Sequence, residues 1–108
     1  MGEEQVQEGV HSLIDVDPVI HAPARLTVLT YLYVVASADY VFLKNMTGLS
    51  WGNLSTHLSK LEAAGYVALE KGFKGRKPHT MVRLTEDGRS AFRAYKVRLK
   101  QILDDLPD

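Results

Sequence analysis

Apolar residues recur at helical spacing along most of this chain and switch to strict alternation only in its last third. Val6, Val10, Leu13 and Ile14 fall on one helical face, which predicts a short amphipathic helix after a frayed start at residues 1–5. Asp17-Pro18 is a helix-start signal, because aspartate caps and proline sits where its missing N–H costs nothing. A helical turn is expected over Pro18–His21, then a longer helix over Pro23–Ala36. That helix carries two apolar stripes: Leu26, Leu29, Tyr33 and Ala36 on one side, Val28, Tyr31, Leu32 and Val35 nearly opposite. A helix apolar all round must be buried all round. A chain of 108 residues seldom achieves that alone at its periphery, so a second copy is expected there.

Asp39 and Tyr40 break the pattern and leave room for a minimal strand. Phe42, Leu43 and Met46 mark a short helix over Val41–Thr47, with Gly48 as its C-terminal cap. Ser50 is the next N-cap, and Leu54, Leu58 and Leu61 set the buried face of a helix over Trp51–Ala64. Gly65 ends it, and Tyr66 folds back on Leu61. Val67 and Leu69, then Val82 and Leu84, alternate with more polar neighbours, giving two strands joined by a long loop at Gly72–His79. Thr85 caps a last helix reaching Leu106, roughly 30 Å at the usual rise per residue. Its Phe92, Tyr95, Leu99, Ile102 and Leu106 step as a heptad seam.

Helix–turn–helix followed by a hairpin is the winged-helix arrangement. The expected fold is α+β and mainly α: a winged helix-turn-helix with a two-stranded β-hairpin wing and a long C-terminal helix. One domain spans 1–108, divided into an arm (1–16), the winged core (17–84) and a dimerisation helix (85–108). Composition changes this picture little, since apolar content of 45% and charged content of 24% are those of an ordinary globular protein. The absence of cysteine excludes disulfides, thiolate zinc sites and thiol catalysis. The longest apolar run, within Leu26–Ala38, is too short to span a bilayer, so a cytoplasmic protein without a membrane partner is expected.

Charge matters more. The net charge is +0, yet residues 1–17 hold five acids and no base, while residues 71–100 hold ten bases against Glu86 and Asp87. Nucleic-acid binding depends on where charge sits, so a neutral sum does not argue against it. With Leu54 pointing inward, Gly52, Thr56, Ser59, Lys60 and Ala63 point outward, with Asn53 and His57 on a flank. Ser50, Asn53, Thr56 and Lys60 are the groups with which such a helix reads bases and phosphates in a major groove. Gly52 permits close approach of backbone, and His57 serves as an orienting residue or phosphate donor. Trp51 is expected to prop the helix against its predecessor.

Lys74, Arg76 and Lys77 occupy a Gly/Pro-bounded loop suited to backbone or minor groove, with Phe73 expected as a packing anchor at the wing base. His11, His21, His57 and His79 lack ligand spacing, no catalytic triad or phosphate-cradling loop is present, and no cofactor or enzymatic activity is expected. A winged helix serving only as a protein-interaction module is the alternative. Three bases at an exposed tip weigh against it.

Residues 18–95 resemble the compact winged-helix transcriptional regulators of the MarR and ArsR groups. The resemblance is carried by His21–Leu26, Thr47–Val67, Phe73–Pro78 and Leu84–Arg89. It implies a dimeric prokaryotic DNA-binding regulator, with Gly52, Asn53, Thr56, His57 and Lys60 on the recognition helix and Arg76 in the wing. It also implies that the first and last helices form the dimer. Val10, Leu13, Ile14, Tyr31, Val35, Phe92, Tyr95, Leu99, Ile102 and Leu106 are accordingly the expected interface. The cysteine metal sensor of many ArsR-type members is absent, which leaves any effector unspecified.

Overall fold

Side-chain caps decide where three of the four described helices begin, and the helix at Pro23 starts on its proline without one. The computed structural model describes residues 15–108, so the expected N-terminal helix, with Val10, Leu13 and Ile14, lies outside the described residues. In chain order the elements are α1 (Pro23–Val35), β1 (Ser37–Asp39), α2 (Tyr40–Thr47), α3 (Trp51–Ala63), β2 (Val67–Lys74), β3 (Lys77–Leu84) and α4 (Glu86–Asp104). Asp17 receives the amides of Val19 (2.9 Å) and Ile20 (3.4 Å) and so winds the turn before α1. Asp39 caps α2 by accepting from Val41 (2.7 Å) and Phe42 (3.3 Å). Ser50 Oγ accepts from the Asn53 amide at 3.1 Å, and Thr85 Oγ1 from that of Gly88 at 2.9 Å. Each cap satisfies amides that the first helical turn would otherwise leave unpaired.

The end of α3 has equally local causes. The Tyr66 amide donates to Leu61 O and the Gly65 amide to Glu62 O, both at 2.9 Å, while Gly65 takes a φ of 80°. This is a Schellman motif, and it turns the chain directly into β2.

The sheet differs from expectation in where its strands lie, since the minimal strand allowed at Asp39 and Tyr40 forms over Ser37–Asp39. It has three antiparallel strands in the order β1-β3-β2, because Ser37, Ala38 and Asp39 pair with Arg83, Val82 and Met81. The strands of the hairpin also run through the segment expected as a long loop, from Val67↔Leu84 to Lys74↔Lys77. Only Gly75 and Arg76 remain as the turn. Gly75 takes a φ of 65° and Arg76 stays on the negative side, the pattern of a type II′ hairpin turn. Pro78 is tolerated because pairing alternates along an antiparallel ladder. Lys74↔Lys77 closes the turn, so Phe73↔Pro78 is the next, non-hydrogen-bonded pair, where a missing N–H is not needed.

The core is a single cluster in which Ile20, Val28, Leu29, Leu32, Leu43, Leu54, Leu58, Leu61 and Val82 are wholly buried. It draws from both stripes of α1, which corrects the inference that its second side needs another chain. Tyr33 packs on Phe92 of α4 with ring centres 5.1 Å apart, and Tyr31 stacks on Phe42 of α2 at 5.0 Å. One chain therefore covers α1 from both sides, leaving Val34 and Val35 of its last turn exposed. No helix among the described residues is long and apolar enough to cross a membrane.

Candidate nucleic-acid interface

The outer surface of α3 is free. Leu54, Leu58 and Leu61 are wholly buried, which turns Gly52, Asn53, Thr56, Ser59 and Lys60 outward, where all are exposed. Three buried leucines at i, i+4 and i+7 fix the rotation of the helix about its axis, and so the direction of each polar group. Thr56 Oγ1 donates back to Gly52 O at 3.0 Å. Its proton is thereby committed, and its remaining lone pairs are presented outward as acceptors. Ser50 uses its oxygen as the cap and keeps its hydroxyl proton for an outside acceptor.

His57 is the half-buried member of the set. Burial, then Arg25 and Lys60, push its imidazole below the ordinary histidine value. Arg25, in the first turn of α1, donates to His57 Nδ1 (3.2 Å), to Val19 O (2.6 Å) and to Pro18 O (3.4 Å). Because arginine only donates, Nδ1 accepts and the ring proton sits on Nε2. His57 is thus an orienting residue that ties α3 to the start of α1. Arg25 itself is a cation beside the ridge that helical periodicity did not single out. It belongs to another element, 32 residues away in sequence.

Trp51 props α3 on the preceding helix as expected, stacking on Tyr40 with ring centres 5.7 Å apart and planes at 17°. It is also half exposed, and Lys44 Nζ lies 5.3 Å from its ring centre, adding a second cation at this end of α3.

The wing projects past the core as a hairpin in which every residue from Glu70 to Pro78 is exposed. Ion pairs among the described residues join His79 to Asp39, Arg83 to Glu70 and Lys100 to Asp104, and leave Lys60, Lys74, Arg76 and Lys77 without carboxylate partners. Lys71, exposed on β2, extends this unpaired group. Phe73 corrects the sequence reading: it is 77% exposed and anchors nothing, because the hairpin carries it beyond the last core residues, Leu69 and Val82. At the wing base, His79 Nε2 hydrogen-bonds Asp39 Oδ2, so the residue that caps α2 also holds β3. Burial alone would raise the Asp39 carboxyl. The His79 bond and the amides of Phe42 and Val41 outweigh it and hold the group below its ordinary value.

The expected dimer residues divide. Phe92 and Tyr95 face the protomer's own core, Phe92 against Tyr33 and Tyr95 with its hydroxyl 2.7 Å from His21 Nδ1. A heptad seam reads the same whether it packs on its own chain or another, which is why the spacing misassigned them. Ile102 is buried as well, Leu99 and Tyr31 are half-buried, and Val35 and Leu106 are exposed. An open groove of about 860 Å³ runs between Asp15–Asp17 and the α4 residues Ser90 to Gln101, a concavity that the sequence did not disclose.

A family model described as a winged helix DNA-binding domain matches residues 24–103, which takes in α3, the wing and nearly all of α4. An uncharacterized protein of Methanocaldococcus jannaschii is 31% identical over 84 residues, 78% of this chain and 91% of that protein. A transcriptional regulator homologue from Pyrococcus horikoshii superposes with a TM-score of 0.82 at 27% identity, covering 92% of this chain and 99% of that one. The PcaV transcriptional regulator of Streptomyces coelicolor shares the fold, with a TM-score of 0.68 at 22% identity over 94% of this chain and 72% of its own.

Proposed function

The chain belongs to the winged helix DNA-binding domain family, and from that premise we propose that it is a sequence-specific transcriptional regulator that binds double-stranded DNA as a homodimer and represses by occupying its site. The observation that carries this reading is the exposed polar ridge of α3 next in sequence to a hairpin whose outer cations, Lys71, Lys74, Arg76 and Lys77, have no carboxylate partners among the described residues. In this reading α3 lies in the major groove. Asn53 and Thr56 meet base edges there, while Ser50, Lys60 and the amides at the start of α3 meet phosphate. Lys74, Arg76 and Lys77 hold the flanking backbone or minor groove. Leu99 and Leu103, spaced i and i+4 on the distal half of α4, together with Leu106 just past its end, supply the face for a second copy; Leu103 and Leu106 are 56% and 61% exposed.

Fluorescence anisotropy on a duplex selected from a random pool, and on its scrambled counterpart, tests the proposal. Asn53→Ala or Thr56→Ala is expected to lose roughly 1–3 kcal/mol of discrimination between the two, while Arg76→Ala weakens binding to both. Affinity falls steeply between low and physiological salt, since each neutralised phosphate releases counterions. Equal loss on both duplexes for Asn53→Ala would remove it from base reading. A protein that sediments as a stable monomer while bound to DNA would remove the dimer.

A further inference from the structure

We infer that Phe73 is an apolar wedge that the wing carries into the minor groove, where it selects a deformable base step flanking the segment read by α3. The inference rests on the DNA-binding reading above and adds a specificity determinant that the basic residues do not supply. Side chains alternate across the hairpin, and the pairing register fixes which belong together: Leu69 with Val82, Lys71 with Thr80 and Phe73 with Pro78 share one face. Val82 is wholly buried in the same cluster as Leu54, Leu58 and Leu61 of α3, so this is the face directed at the core, continued outward past the point where the core ends. Phe73 therefore projects from the core-facing side of the wing, and the wedge requires that a duplex held by α3 and the wing meet this side.

Its environment names the partner. Phe73 is 77% exposed, and Pro78 across the ladder makes its backing apolar and rigid. Lys71, Lys74, Arg76 and Lys77 bracket it, all exposed and none paired with a carboxylate among the described residues. An aromatic ring ringed by free cations suits a polyanion with an apolar interior, which describes the sugar walls and stacked bases of a minor groove between two rows of phosphates. Apolar side chains placed there unstack the step they meet, and pyrimidine–purine steps yield most easily. The cations supply attraction that is indifferent to sequence, and the ring supplies the preference.

Parallel selections from a randomised duplex pool test this with the whole chain as wild type, Phe73→Ala and Phe73→Leu. The wild type is expected to recover a core motif with TA or CA steps at the flank, and Phe73→Leu to keep both. Phe73→Ala is expected to keep the core motif, lose the flanking preference and bind the wild-type site roughly tenfold more weakly. Because the side chain is exposed, all three should melt alike. Identical flanks and affinities for wild type and Phe73→Ala would overturn the wedge while leaving the regulator reading intact. So would unchanged DNA binding with reduced retention on anionic vesicles, which would assign the ring to a lipid surface. A wild type that retains no duplex would remove the regulator reading and the wedge with it.

Discussion

The recognition helix and the wing are neighbours in sequence but are held in place by different forces. Helix α3 has a cap at each end and three wholly buried leucines beneath it, so its outward groups are fixed by the same packing that stabilises the domain. The wing has strand pairing and a tight turn, and from Glu70 to Pro78 it buries nothing. Buried apolar contacts raise the free energy of local opening, and exposed hydrogen bonds alone do not. A rigid ridge suits donor and acceptor patterns, which tolerate little misplacement. A compliant cationic hairpin suits a groove whose width varies with sequence.

The largest effects should come from the rigid side. Leu58→Ala is expected to cost about 2–5 kcal/mol in urea unfolding and to abolish DNA binding through the fold. Arg76→Ala should leave the same unfolding curve unchanged. If the two variants unfold alike, the division between ridge and wing is wrong.

Gly88→Ala attacks the joint between the regions. A Cβ there would lie 2.1 Å from Tyr66 O and 2.9 Å from Leu84 Cδ1, so α4 must retreat from the turn that sends α3 into β2. A loss of about 3 kcal/mol is expected, together with faster hydrogen exchange on both sides of that turn.

Gly75→Ala places a side chain at a φ of 65°, strain of roughly 1–2 kcal/mol that the wing relieves by opening locally. Global unfolding should barely move, while amides of residues 71–80 exchange faster. A full drop in global stability would show that wing and core unfold together.

The smallest effect is a pH dependence at the wing base. The folded Asp39 carboxyl sits below its ordinary value, so its contribution is complete above about pH 4 and lost as pH falls through the lower folded value. Asp39→Asn keeps a capping side chain but not the charge. Its deficit in thermal stability should therefore be present at neutral pH and shrink in acid. A deficit independent of pH would show that the charge contributes nothing.

Much of the site was legible because its causes are local. Ser50 and Thr85 cap within three residues of themselves, Gly65 closes α3 on Leu61 and Glu62, and the period of the leucines sets which groups face outward. Those relations involve neighbours in sequence, and elementary geometry carries them without knowledge of the rest of the chain. Tertiary structure decided the remainder. Three residues, Ser37 to Asp39, became a strand only because β3 offered them an edge, and Arg25 reached His57 only once α1 had packed beside α3. Phe92 and Tyr95 turned inward, and Phe73 was left outside. A periodic pattern states that a face is apolar, but what covers that face depends on distant segments whose approach no local rule encodes.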